Sequence, residues 1–126
     1  MAKLISFENL MFSDTYMKTS ASIIDTFGIS SSNDISLQFI NLTFTNIEYS
    51  TVGNLMNLGH LLNAQVLIKG ATFTNLISAG IEVGGISSQN GLRSKVKIID
   101  SKFSDYSSSS HSFIWTYSGS ELEIRN

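Results

Sequence analysis

Cysteine and proline are both absent from this chain of 126 residues. The absence of cysteine excludes a disulfide framework, a thiolate zinc site and a cysteine nucleophile. Proline makes up about 5% of an average protein, so a chain of this length without it is unusual. The polar residues are mainly Ser, Thr and Asn. Because their short side chains compete for backbone hydrogen bonds, this composition favours turns and solvated β surfaces over helices.

Charge is also scarce, and it excludes several classes of protein. Charged residues make up 14% of the chain, against about 25% in a typical domain. The net charge is −2, which argues against a nucleic-acid partner because such a partner needs a basic face. The hydrophobic fraction of 42% argues against disorder. No apolar run reaches the ~20 residues of a membrane span, and the N-terminus lacks the apolar segment of a signal peptide.

The chain contains an internal repeat, which is marked by a phenylalanine roughly every 30 residues. Each marker is followed by Ser or Thr and then by Asn or Asp. The four markers are Phe12, Phe44, Phe73 and Phe103.

The residues around these markers form one cassette that occurs four times without a gap. Apolar residues stand seven positions before each Phe (Ile5, Leu37, Val66, Val96) and five positions before it (Phe7, Phe39, Ile68, Ile98). Asn, Gly or Asp stands three positions before it (Asn9, Asn41, Gly70, Asp100), and Asn or Asp stands two positions after it (Asp14, Asn46, Asn75, Asp105). A fifth copy begins at Leu122.

The cassette predicts an all-β fold. Two apolar residues two positions apart indicate a short strand with one buried face. Asn, Gly and Asp tolerate a left-handed backbone, so they predict a one-residue bend after that strand and another after the Phe. A third strand and a loop of variable length complete each repeat. One repeat cannot bury its apolar face alone, and stacking the copies solves this.

The expected architecture is therefore a single domain over residues 1–126, a parallel β-helix of about four coils with an incomplete fifth. The predicted coils cover residues 5–36, 37–65, 66–95 and 96–121, and the next begins at residue 122. Two alternatives remain open from the sequence: a β-sandwich, which has similar strand spacing, and a short helix within residues 52–64.

The repeat resembles that of right-handed parallel β-helices of the pectin-lyase-like kind, and the resemblance covers nearly the whole chain. It is most similar to the repeats of autotransporter passengers, polymorphic membrane proteins and protist surface proteins. Those repeats pair a Phe–Asn element with a downstream Gly-Gly-apolar element, as Phe73-Thr74-Asn75 is followed here by Gly84-Gly85-Ile86. The resemblance implies a fold more firmly than a function.

Candidate chemistry is sparse in this sequence. The Asp residues of the cassette replace Asn or Gly of other copies, so we expect them to form bends and side-chain ladders. Arg93, Lys95 and Lys97 alternate in an extended stretch and form a candidate contact for an anionic glycan, with Asp100 as the only acid near them in sequence. The two histidines, His60 and His111, lack the spacing of a zinc site.

These observations predict no catalytic residue, no metal site and no cofactor. The expected function is a non-enzymatic structural or adhesion module of a larger surface or secreted protein, located outside the cell or at its surface. The alternative is a carbohydrate-active β-helix, a polysaccharide lyase or hydrolase, whose catalytic coils lie outside this chain. Expected partners are a carbohydrate or another protein. Because the fifth copy does not close, we also expect a longer parent chain or end-to-end self-association.

Overall fold

A computed structural model describes residues 3–26, 35–58, 64–83, 95–108, 113–116 and 121–126, and it contains strands and no helix in these ranges. The strands are β1 (Lys3–Glu8), β2 (Met11–Met17), β3 (Ile24–Asp25), β4 (Ile35–Ile40), β5 (Thr43–Leu58), β6 (Gln65–Lys69), β7 (Thr72–Val83), β8 (Lys95–Ile99), β9 (Lys102–Ser107), β10 (Ile114–Thr116) and β11 (Glu121–Arg125).

The first sheet collects the opening strand of every cassette. Its order is β1-β4-β6-β8-β11, and each pair in it is parallel. The register places the first apolar position of each cassette in one row and the second in another. These interior rows are Ile5–Leu37–Val66–Val96–Leu122 and Phe7–Phe39–Ile68–Ile98–Ile124.

The second sheet collects the phenylalanine strands and the third strands. Along it, β2, β5, β7 and β9 pair in parallel and in the register of the four phenylalanines. The strands β5 and β7 continue past the Asn of the cassette, and their later parts pair with the short strands β3 and β10. This pairing creates a third interior row, Ile24–Met56–Ile81–Ile114.

The connection between the two sheets differs from the predicted one-residue bend, because it takes two residues in each repeat. The first is the Asn, Gly or Asp with positive φ, and the second points into the core. Leu42, Ala71 and Ser101 occupy this second position and are buried. The sequence pattern treated this position as unconstrained. Its members differ in polarity, so their shared burial was not recognisable from the sequence.

The buried Ser101 is compatible with the core because its hydroxyl is fully used. Its Oγ donates to the carbonyl of Ile99 at 3.0 Å and accepts the backbone N–H of Ala71 at 3.1 Å. A buried hydroxyl with both partners avoids the cost of an unpaired polar group.

Parallel pairing of the described strands is the arrangement of a β-solenoid, in which successive repeats stack along one axis. It argues against the β-sandwich alternative, whose sheets are antiparallel. It also excludes a helix at residues 52–58, which belong to β5. The remainder of that helix alternative, residues 59–63, lies outside the described residues.

Candidate functional site

The outward face of the first sheet carries mostly polar side chains in register. Three rows point away from the core, one between the interior rows and one on each side of them: Leu4–Ser36–Gln65–Lys95–Glu121, Ser6–Gln38–Leu67–Lys97–Glu123 and Glu8–Ile40–Lys69–Ile99–Arg125. A depression of about 560 Å³ lies over the β4–β11 side of this face, lined by the first two of these rows. It contains the lysines that the sequence singled out as a glycan contact.

Those lysines are paired with acids of the neighbouring strand. The Nζ of Lys95 lies 3.4 Å from Oε2 of Glu121, and the Nζ of Lys97 lies 3.5 Å from Oε2 of Glu123. Arg125 joins the group through its Nε, 2.7 Å from Oε1 of Glu123. These side chains are about half exposed or more, so each pair contributes about 0–1 kcal/mol.

The surface around the lysines is therefore of mixed charge rather than basic. In the sequence, Asp100 is the only acid near these lysines. The pairing of β11 with β8 brings two more acids, Glu121 and Glu123, within ion-pair distance of them. Arg93, the third member of the predicted contact, lies outside the described residues. The missed signal was the alternation of Glu121, Glu123 and Arg125, which places all three on the outward face of the incomplete fifth repeat.

A side-chain ladder runs through the second bend of the repeats. Asp14, Asn46, Asn75 and Asp105 all have positive φ, between 51° and 55°. Asn46 donates its Nδ2 to Oδ1 of Asp14 at 2.9 Å, and Asn75 donates its Nδ2 to Oδ1 of Asn46 at 2.7 Å. No hydrogen bond between Asn75 and Asp105 occurs within the described part of the chain.

The first bend forms a shorter ladder that stops at glycine. Asn9, Asn41, Gly70 and Asp100 all have positive φ, and each backbone N–H donates to the last residue of the next strand of the first sheet. Asn41 donates its Nδ2 to Oδ1 of Asn9 at 3.2 Å. At Gly70, a Cβ would lie 2.8 Å from Oδ1 of Asn41, so glycine provides both the left-handed φ and the space for this amide.

The four marker phenylalanines stack along the core of the second sheet. The ring centroids are 5.1 Å apart for Phe12–Phe44, 5.7 Å for Phe44–Phe73 and 5.1 Å for Phe73–Phe103. The two central rings are buried, whereas Phe103 at one end is 39% exposed. Phe113 packs edge-on against both Phe73 and Phe103.

Hydroxyl groups form a row on the outward face of the same sheet. The register aligns Ser13, Thr45, Thr74 and Ser104 beside the Asn/Asp ladder. The hydroxyl oxygens of Thr74 and Ser104 are 2.7 Å apart and share a hydrogen bond. Hydroxyls and amides in such a row offer both donors and acceptors to a polar partner.

Tyr49 is buried, which the repeat pattern does not predict. Tyr49 is 2% exposed, and its single O–H is shared between the carbonyl oxygens of Asn54 and Ala21, which lie 2.8 Å and 3.0 Å from the hydroxyl oxygen. Burial raises the pKa of Tyr49 to about 12. A Cβ at Gly53 would overlap the tyrosine ring. The Tyr49–Gly53 pair occurs in one repeat only, so the cassette gave no signal for it.

Ionisable groups do not converge on a metal site in the part of the chain that is described. No group of three or more His, Cys, Asp or Glu side chains suitable for a metal ion occurs among these residues. The two histidines lie outside them. In the same residues, no helix is long and apolar enough to cross a membrane.

Comparison with known proteins adds no assignment. No family model, no curated protein and no solved structure matches this chain.

Proposed function

We propose that the chain is a non-enzymatic β-helical module, a rigid structural or adhesion element of a larger surface or secreted protein. The proposed architecture is a right-handed parallel β-helix of four coils with the start of a fifth. One observation and one general rule support it. Consecutive repeats pair in parallel with the cassettes in register, and crossover connections between parallel strands of one sheet are right-handed in about 98% of cases.

The observation that carries the proposed role is the row of four hydroxyls, Ser13 to Ser104, beside the Asn/Asp ladder. These groups are polar, uncharged for the most part and arranged at the regular spacing of the strands, about 4.8 Å. Such a face offers hydrogen bonds to a carbohydrate or to another protein. Its two carboxylates, Asp14 and Asp105, lie at opposite ends of the ladder, roughly 14 Å apart at the strand spacing, which is too far for a catalytic pair.

The alternative is a carbohydrate-active β-helix, and the depression on the first sheet is the observation that favours it. That depression holds acids and bases within ion-pair distance, such as Lys97 and Glu123. A glycosidase needs two carboxyl groups flanking the bond that is cleaved. In our proposal Lys95 and Lys97 instead neutralise Glu121 and Glu123. The catalytic coils of such an enzyme would lie outside this chain.

An assay of the purified chain on pectate, alginate and neutral glycans, with and without calcium, separates the two functions. The module predicts binding without turnover, and Thr45→Val or Thr74→Val should weaken that binding because each replaces a surface hydroxyl with a methyl group of similar size. Thr43→Val, on the neighbouring outward row, is the matched control. Turnover that is abolished by Lys97→Ala or Asp100→Ala would overturn the module and favour the enzyme.

A further inference from the structure

The first bend of the second repeat carries the only N-glycosylation sequon of the chain, Asn41-Leu42-Thr43. Such a triplet marks an asparagine that accepts an oligosaccharide in the secretory pathway. Asn41 is exposed, whereas Leu42 points into the core and Thr43 begins β5. Repeats lie on both sides of this bend, with Asn9 before it and Gly70 after it, so the exposure of Asn41 does not come from an open end of the stack.

The ladder of the first bend uses one of the two hydrogens on Nδ2 of Asn41. This nitrogen donates to Oδ1 of Asn9 at 3.2 Å, and the Oδ1 of Asn41 lies on the side of Gly70. The hydrogen opposite to the carbonyl oxygen therefore faces Asn9. The other hydrogen lies on the same side as the carbonyl oxygen, and the ladder does not need it.

A sugar attached to Nδ2 takes the place of that second hydrogen. A trans amide places its substituent on the side of the carbonyl oxygen and its remaining N–H on the opposite side. The N–H that remains on a glycosylated Asn41 is thus the one that faces Asn9. The folded bend can hold the glycan and keep its ladder bond at the same time.

Glycine at the next bend leaves room for this sugar. The sugar projects on the side of Oδ1, which is the side of Gly70. A Cβ at Gly70 would lie 2.8 Å from Oδ1 of Asn41, so a longer side chain there would occupy the same space. The other copies of the cassette carry Asn or Asp at this position (Asn9, Asn41 and Asp100). The copy that follows the sequon is therefore the one whose first bend has no side chain.

We propose that Asn41 is an N-glycosylation site and that its glycan lies over Gly70. The inference rests on the surface or secreted location of the proposed function. Nδ2 of Asn41 forms a bond to C1 of the first sugar of a lipid pyrophosphate-linked oligosaccharide, the donor that the secretory pathway supplies. The bond from C1 to the pyrophosphate oxygen breaks, and the lipid pyrophosphate leaves with that electron pair. Nδ2 loses one proton to solvent, and nothing is oxidised or reduced.

Secretion of the full chain from a eukaryotic cell, behind a supplied cleavable signal sequence, tests the site. Intact mass spectrometry should show one N-linked glycan, and peptide-N-glycosidase should remove it. Thr43→Val should abolish the glycan while it leaves the amide of Asn41 in place, and Thr43→Ser should retain it because serine also completes the triplet. Thr45→Val, on the same strand but outside the triplet, is the matched control and should stay glycosylated. A secreted, folded chain without a glycan at Asn41 would overturn the proposal.

A second measurement tests the space over Gly70. Gly70→Asp introduces the residue type that Asp100 has at this bend, and Asp tolerates the positive φ. Unlike Asn, it creates no new triplet with Thr72. The glycosylated variant should have a lower urea midpoint than the same variant from a host that adds no glycan, because the side chain and the sugar compete for one space. The unmodified chain should show no such loss. Equal effects of the glycan on both chains would refute its placement over Gly70.

The outcomes separate this inference from the proposed function. A secreted chain with an intact β fold in far-UV circular dichroism and no glycan refutes the glycosylation site and leaves the module in place. Turnover of a polysaccharide refutes the module without bearing on Asn41.

Discussion

Asn46 donates its side-chain Nδ2 to the Oδ1 of Asp14 at 2.9 Å, across 32 residues of sequence. A carboxylate only accepts hydrogen bonds, so Asp14 requires the amide nitrogen of Asn46 to face it. The Oδ1 of Asn46 then faces Asn75, which must present its own Nδ2, as observed at 2.7 Å. One acidic residue thus fixes the direction of the whole ladder. The Oδ1 of Asn75 is left for the next repeat, where Asp105 is a carboxylate and offers it no donor.

This mismatch at the end of the ladder predicts that Asp105→Asn is stabilising. An amide at position 105 supplies the donor that Asn75 lacks, and Asn tolerates the positive φ of that position. One added hydrogen bond is expected to raise the free energy of unfolding by about 0.5–1.5 kcal/mol. Urea denaturation of the variant measures this change. Asp14→Asn is the control: it keeps an acceptor for Asn46 and should not raise the stability by a comparable amount.

The middle of the ladder should be far more sensitive to substitution. Asn46→Ala removes two hydrogen bonds, each contributing about 0.5–1.5 kcal/mol, and places an alanine at φ 54°, which costs about 1–2 kcal/mol more. We expect a total loss of about 2–5 kcal/mol in urea denaturation. Asn46→Gly loses the bonds without that steric strain, so it should be the less destabilising change. Equal losses for Ala and Gly would contradict a steric role of the bend.

The phenylalanine column predicts an effect that depends on position in the stack. Phe44 is fully buried between two rings, so Phe44→Ala should destabilise by about 3–5 kcal/mol. Phe12 ends the column and is only partly buried, so Phe12→Ala should cost clearly less. Chemical denaturation of both variants gives the comparison. A larger loss at Phe12 than at Phe44 would show that the column does not form the core.

The cassette predicted the described register because its period is enforced by burial. A slip of one residue would turn Leu37 and Phe39 outward, so the apolar spacing alone selects the pairing of β4 with its neighbours. Positive φ at Asn9 and Asp14 was predictable for a similar reason, since few residue types tolerate it. These features depend on local residue type and spacing, and both are visible in a single repeat.

Other features depend on contacts between positions that the cassette leaves variable. The Lys95–Glu121 and Lys97–Glu123 pairs can be predicted only when the outward residues of β8 are aligned with those of β11. The burial of Ser101 depends on Ile99 and Ala71, which satisfy its hydroxyl. The alternation of Glu121 and Glu123 marks a shared face but not the strand that they pair with, and no periodic signal marks Ser101, so these contacts became evident only from the three-dimensional arrangement.

Tyr49 predicts a loss of stability at high pH. Its pKa is raised from 10.0 in a free side chain to about 12 in the folded chain, because burial disfavours the phenolate. Between pH 10 and pH 12 the unfolded chain has released this proton and the folded chain has kept it. Stability is therefore full below pH 10 and falls as pH rises through this window, by about 1.4 kcal/mol per unit at most. The total loss from this residue is about 2–3 kcal/mol by pH 12.

Urea denaturation at several pH values between 9 and 12 checks this expectation against two variants. Tyr49→Phe removes the titrating group, so its stability should fall less steeply over this range than that of the unmodified chain. It should also start lower at pH 9, because the carbonyls of Asn54 and Ala21 lose their donor. Tyr16→Phe removes a phenol that is 56% exposed and should leave the steep fall in place. If Tyr49→Phe and the unmodified chain lost stability in parallel, burial of Tyr49 would not be the cause, since the difference between the curves isolates its proton.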